Sequence, residues 1–141
     1  MSIHQISVFL ENRTGQLAEI TQLLAENHVD IRAISIAEAS DYGVVRMIVD
    51  DCKKASAILL EHGDILSMTP VWAVEVPDRP SGLAEVLAVL AQDHIAVEYM
   101  YSLFTRESGY AYMVLRISDE AAFTQAAQSA GIRIMSSEEL G

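Results

Sequence analysis

Asn12-Arg13-Thr14-Gly15-Gln16-Leu17-Ala18-Glu19 recurs as Asp78-Arg79-Pro80-Ser81-Gly82-Leu83-Ala84-Glu85, 66 positions on from Leu17 to Leu83. Carried forward without a gap, the same offset pairs Leu24-Ala25 with Leu90-Ala91, His28 with His94, Gly43 with Gly109 and Met47 with Met113. Solenoid repeats run to about 20–50 residues and need three or more copies to bury a core, whereas a unit of this length can form a core of its own. The chain therefore reads as a tandem duplication, residues 1–69 and 70–141, with the boundary near Thr69-Pro70. So short a link holds the two domains close together, with sheets or helices in contact.

Outward from the first turn, Ile3 to Leu10 alternates as a strand, with Ile6, Val8 and Leu10 on one face and Gln5, Ser7 and Phe9 on the other. After the Gly15 break, Leu17, Ile20, Leu23 and Leu24 recur at helical spacing through Asn27. A strand over Ile31–Ala37 and the turn Ser40-Asp41-Tyr42-Gly43 lead into the β-branched run Val44–Val49. Asp50 or Asp51 is placed to cap a second helix that runs to His62, Gly63 to stop it, and Ile65–Met68 reads as a short final strand. The second half repeats the order: strand Val71–Val76, helix Gly82–Gln92, strand Val97–Phe104, turn Glu107-Ser108-Gly109, strand Tyr110–Ile117, helix Asp119–Ala130 capped by Ser118, and a short strand near Ile132–Met135 before a loose tail, Ser136–Gly141. This is βαββαβ twice over, an α+β pair of ferredoxin-like modules with two helices on one face of each antiparallel sheet.

Composition narrows the functions. A net charge of −11 and a pI near 4.6, with no cluster of Lys or Arg, repel phosphate backbones and anionic membranes. The strand Val44–Val49 holds one Arg and no aromatic, unlike an RNA-recognition sheet. No apolar run reaches the roughly 18 residues of a membrane span, and Met1-Ser2-Ile3-His4-Gln5 is unlike a signal peptide, so a cytoplasmic protein is expected. Cys52, the single cysteine, reads as a surface or half-buried thiol. His28 and His94 stand at helix ends, where histidine interacts with the last carbonyls, and no second ligand lies at metal spacing beside them. Met47, Met100 and Met113 read as core filling. Trp72 reads as an anchor between halves or the border of a ligand pocket. No nucleophile with a base, carboxylate pair or metal set is evident, so an enzyme is not expected, and no cofactor is implied.

The two turns, with His28-Val29-Asp30-Ile31, His94-Ile95-Ala96-Val97 and Gly43-Val44-Val45-Arg46-Met47, resemble the ACT domain, over nearly the whole chain and in two copies. The resemblance implies a regulatory module that binds an amino acid or related metabolite between modules, senses it for a metabolic enzyme and forms a homodimer. It implies a site at Asn12, Arg13, Thr14, Gly15, Gln16 and Leu17, and at Asp78, Arg79, Ser81, Gly82 and Leu83, with Ser35, Tyr101 and Ser102 reaching in from second strands. Physically, a glycine lets backbone approach a ligand and the first helical amides suit a carboxylate, while Asn12 or Asp78 can take an ammonium. Asn or Asp before a helix can equally be a local cap, Arg13 and Arg79 can be solvated charges, and Tyr101 can serve a core or interface. The glycine of the second copy is displaced by one place, so the two sites are expected to differ. The competing reading is an interaction subunit that binds no ligand and pairs through its sheet edges.

Overall fold

In a computed structural model that describes residues 2–11, 13–38, 41–104 and 109–140, the chain forms two compact units, His4–Thr69 and Pro70–Glu139, apart from a few terminal residues. Met1, Asn12, Ser40, Glu107, Ser108 and Gly141, all named above, lie outside the described residues.

The first unit contains β1 (Ile3–Glu11), α1 (Gln16–Glu26), β2 (Ile31–Glu38), β3 (Tyr42–Val49), α2 (Cys52–His62) and the opening residues of β4 (Leu66–Pro77). Its strands lie in the order β2-β3-β1-β4. The strands pair antiparallel, with Ile6 opposite Met47 and Ile34 opposite Met47 from the other side. Ile6, Val8 and Leu10 of β1 and Val45 and Met47 of β3 form one core with Ile20 and Leu24 of α1 and Ala55 and Leu59 of α2. The period-2 strand pattern thus meets the period-3.6 helix pattern on a single face. Each large aliphatic side chain buried there contributes about 1.5–3 kcal/mol.

The second unit takes the rest of β4 and adds α3 (Gly82–Gln92), β5 (Val97–Ser102), β6 (Tyr110–Ile117), α4 (Glu120–Ala130) and α5 (Ser137–Leu140), with strand order β4-β6-β5. A single bridge, Val74 to Ile134, stands where a final strand was expected. The core joins Trp72, Val74 and Val76 to Val86, Leu90, Leu115, Ile117 and Phe123. Trp72 is part of this core, its ring 5.2 Å from that of Phe123.

Several expectations change. β4 is one strand through Pro70, where two separate strands were expected. Proline lacks only the amide, so it breaks a strand only where that amide must bond. β5 ends at Ser102, two residues early, although the Leu103 amide still donates to the Tyr112 carbonyl. The cap of α4 is Asp119, whose carboxylate accepts from the Ala122 amide, and not Ser118. The supposedly loose tail is a helical turn. The Ser136 hydroxyl accepts from the Glu139 amide while the Glu139 carboxylate accepts from the Ser136 amide, a capping box visible in Ser136-Ser137-Glu138-Glu139.

The ungapped offset also fails after β5. The caps Asp51 and Asp119 and the left-handed stops Gly63 and Gly131 stand 68 apart, as do the starts of β3 and β6. Two extra residues therefore enter between β5 and β6, so Tyr42 corresponds to Tyr110, and Met47 to Leu115 rather than to Met113. Before that point the offset of 66 holds. β2 and β5 carry the same register irregularity, at Ile31/Ala33 and Val97/Tyr99. His28 and His94 share a left-handed backbone, φ 59° and 56°.

At both histidines the backbone closes the helix. The His28 amide donates to Ala25 and the Val29 amide to Leu24, repeated by His94 to Ala91 and Ile95 to Leu90. Such a residue is commonly glycine, because a Cβ is disfavoured there. His28→Gly and His94→Gly should each raise stability by about 0.5–1 kcal/mol, read as a higher Tm. A fall in Tm would show that the imidazole itself holds something.

Candidate functional site

Both first-helix turns are built on one hydrogen-bond skeleton despite the displaced glycine. The Arg13 amide donates to Glu11 and the Gln16 amide to Arg13; the Arg79 amide donates to Pro77 and the Gly82 amide to Arg79. Gly15 occupies the N-cap position of α1 with φ 88°, where a side chain is disfavoured. Its counterpart Ser81 takes the same position at φ −89°, so glycine is not needed there. Gly82, one place on, is needed for another reason: a Cβ there would stand 1.9 Å from the Pro77 carbonyl oxygen.

A second exchange accompanies this one. Gln16, buried on the first turn of α1, accepts the Glu11 amide at 2.8 Å. The corresponding residues are Pro77, which has no amide to satisfy, and Gly82, which has no side chain to satisfy it. Gln16 thus braces the turn from within, a role its place in the motif did not suggest.

Neither α1 nor α3 receives a side-chain hydrogen bond from its N-cap residue. By contrast α2 and α4 are both capped by aspartate, Asp51 accepting from Lys54 and Asp119 from Ala122. A helix leaves its first amides without intrahelical partners. In α1 the Gln16 amide goes to Arg13 and that of Glu19 to Gly15. The amides of Leu17 and Ala18, and of Leu83 and Ala84 in α3, have no partner among the described residues. Partial positive charge and donors converge there.

The charged side chains at the turns are paired locally. Arg13 binds Glu19 in a two-pronged contact of 2.9 and 3.2 Å, and Arg79 binds Glu85 at 2.6 Å. The Arg13 hydrogen bond, then its charge, holds the Glu19 carboxyl below the usual carboxylate range, and the same bond raises the Arg13 value. Ser81 accepts from Arg79 and donates to Glu85. Each arginine is therefore tied to its own helix.

The other expected residues are placed as follows. Thr14 and Asp78 are exposed, and the Asp78 amide donates to Gly109. Leu17 packs against the first core, while Leu83 is exposed. Ser35 is half-buried on β2, opposite Arg46 in register. Tyr101 is buried on β5 with its ring stacked 6.4 Å from Tyr99, and Ser102 is exposed at the end of that strand. The turn residues are brought together in each unit by chain proximity, and Ser35, Tyr101 and Ser102 stand on strands.

Two buried groups escaped sequence reasoning. Arg32, at the β2 irregularity, is buried with Asp30 as its ion-pair partner at 3.2 Å, and its Nε lacks a hydrogen-bond partner. The Trp72 Nε1 is likewise unpartnered within the core. Neither carries a local signal, since burial of a polar atom is set by packing. Cys52 is half-buried, and burial pushes its thiol up. Among the described residues no helix is long and apolar enough to cross a membrane.

Two units of βαββαβ order, the second closed by a single bridge in place of its last strand, and each opening its first helix with an uncapped glycine-containing turn, define a tandem pair of ferredoxin-like modules. The chain belongs to the ACT domain pair family, which matches residues 1–136. Among solved structures it is similar to a protein from Bacteroides thetaiotaomicron, with 32% identity over 99% of this chain and 96% of that one, at a TM-score of 0.92. It shares its fold with the ligand-free regulatory subunit of aspartate kinase from Thermus thermophilus, at 16% identity, 90% and 91% coverage and a TM-score of 0.66. The corresponding subunit from Thermus flavus gives 19% identity, 91% and 92% coverage and 0.58. Among curated proteins no sequence matches.

Proposed function

We propose that the chain is a non-catalytic regulatory protein that binds a small amino acid or related metabolite at its first-helix turns and conveys occupancy to a metabolic enzyme. The observation that carries this reading is the contrast in capping. In both units the second helix starts at an aspartate, whose carboxylate already occupies its N-terminus, while the first starts at a glycine-containing turn with no side-chain acceptor at its N-cap. An α-carboxylate suits the first amides of such a helix. Because Arg13 and Arg79 are held by Glu19 and Glu85, the backbone supplies the carboxylate site and the arginines frame it. Asn12 and Asp78 precede the turns and supply acceptors for an ammonium, Asp78 the stronger by its charge.

The first turn is the better candidate. Nothing lies within 4 Å of a Cβ placed on Gly15, whereas its counterpart Ser81 carries a side chain there, engaged with Arg79 and Glu85. Ser35, Tyr101 and Ser102 complete the proposed contacts. The protein acts in the cytoplasm as a homodimer on this reading. The aspartate kinase subunits share the fold alone, so the partner is specified only as a metabolic enzyme.

A ligand that binds only the folded state must raise its stability, by about 2.7 kcal/mol at a hundred times Kd. Thermal shift against a panel of amino acids at millimolar concentration should therefore find at least one that raises Tm. Asn12→Ala should abolish that shift and Asp78→Ala weaken it less. If no amino acid moves Tm, the protein is an interaction subunit without a ligand. Equal and negligible effects of the two substitutions would move the site elsewhere.

A further inference from the structure

In the first unit Phe9 and Ile65 face each other across β1 and the residue preceding β4, joined by a 2.9 Å bond from the Phe9 amide to the Ile65 carbonyl. The Tyr42 ring stacks on Phe9, with centroids 5.1 Å apart and planes 24° from parallel. Val8, Leu10 and Leu66, the immediate chain neighbours of this pair, pack into the core, so Phe9 and Ile65 project from the opposite face of the strands. Their exposure is large: 37% for Phe9, 46% for Tyr42 and 70% for Ile65.

Isolated exposed apolar residues are ordinary, and three in contact are less so. The second unit provides an internal control. Glu75 and Arg133 occupy the positions of Phe9 and Ile65, joined by the equivalent backbone bond at 3.0 Å and by a 2.8 Å ion pair. The same place in the same fold carries a water-compatible pair in one copy and an apolar pair in the other. The apolar pair is thus no requirement of the fold.

The rim indicates what kind of surface would fit it. Glu11, opposite Tyr42 in register, and Asp41, its chain neighbour, are both exposed. Arg13 is tied to Glu19, and Arg46, on the neighbouring row, is already engaged. A second copy would set these carboxylates against themselves, in a chain of net charge −11. A surface with Lys or Arg beside apolar side chains would pair with them and lay its cations on the aromatic rings. We propose that the Phe9–Tyr42–Ile65 face docks a basic, apolar segment of a partner protein. This does not depend on a ligand occupying the Gly15 turn.

The test titrates the full isotopically labelled chain with a synthetic peptide alternating Ile or Phe with Lys or Arg, and with its counterpart bearing Glu. The basic peptide should shift the amides of Phe9, Tyr42 and Ile65, and added salt should weaken it. Phe9→Glu with Ile65→Arg installs the ion pair of the second unit and should reduce binding at least tenfold. Glu11→Lys with Asp41→Lys leaves the apolar residues intact and should turn the preference toward the acidic peptide, which keeps the test open if the first variant misfolds. Equal binding of the two peptides, shifts confined to other residues, or an unchanged preference after rim reversal would overturn the proposal. So would a sedimenting dimer of the parent chain that either double substitution dissolves, since the occupant would then be a second copy.

Discussion

Gly82→Ala should destabilise the second unit by about 3 kcal/mol, the upper end of what overpacking costs. The added Cβ would stand 1.9 Å from the Pro77 carbonyl oxygen and 3.0 Å from its carbon, and both are backbone atoms at the junction of strand and helix. They cannot swing aside as a flexible side chain does, so either the α3 N-terminus or the end of β4 must move. Gly15→Ala makes the contrast. Nothing lies within 4 Å of the Cβ it would carry, and only the φ of 88° opposes it. The left-handed backbone costs about 1–2 kcal/mol. Thermal melting followed by the fluorescence of Trp72, the single tryptophan, reports on the second unit and should fall on the order of 10–20 °C for Gly82→Ala. Importing the whole first turn, Pro77→Glu, Ser81→Gly and Gly82→Gln together, should cost less than Gly82→Ala alone. The reason is that the amide, its side-chain acceptor and the left-handed glycine belong to one arrangement. A loss larger than that of the single change would show that the two turns are not interchangeable solutions.

Phe123→Ala should cost about 3–5 kcal/mol, the range for deleting a buried aromatic side chain. Phe123 is fully buried, and its ring leans on Trp72 at 5.2 Å and an interplanar angle of 45°. With the corrected offset, Phe123 and Ala127 take the places that Ala55 and Leu59 hold in the first unit, all four buried. The large residue has changed position along the helix while the small one fills the other place. Ala127→Leu added to Phe123→Ala reproduces the first arrangement and should recover about 1–2 kcal/mol of the loss, since the new side chain refills part of the cavity. Urea unfolding at unchanged m-value measures both. A loss below about 1 kcal/mol for the single variant would mean that the helix collapses onto Trp72 and leaves no cavity.

The helices and most strands are legible because their signals are local. Leu17, Ile20 and Leu24 declare one face of α1, and Asp51 and Gly63 mark the two ends of α2. The duplication is legible for the same reason. The two-residue insertion between β5 and β6 is not, because a polar turn absorbs residues without disturbing either flanking pattern, and Met113 offers Met47 a false match. Within the turns, Gly15 announces itself. The role of Gln16 does not, because its acceptor serves an amide five residues back.

From the sequence alone came the duplication, the order of elements apart from the last strand, the aspartate at the start of α2 and the turns at Gly15 and Gly82, all consequences of side-chain type at short range. Only the tertiary structure decided which glycine bears a strained backbone and which makes room for a carbonyl, how Phe123 and Leu59 share out the cores, and that Phe9 and Ile65 stand exposed where Glu75 and Arg133 form an ion pair. Those outcomes depend on which atoms from distant parts of the chain come within a few ångströms of one another, and no local pattern encodes that distance.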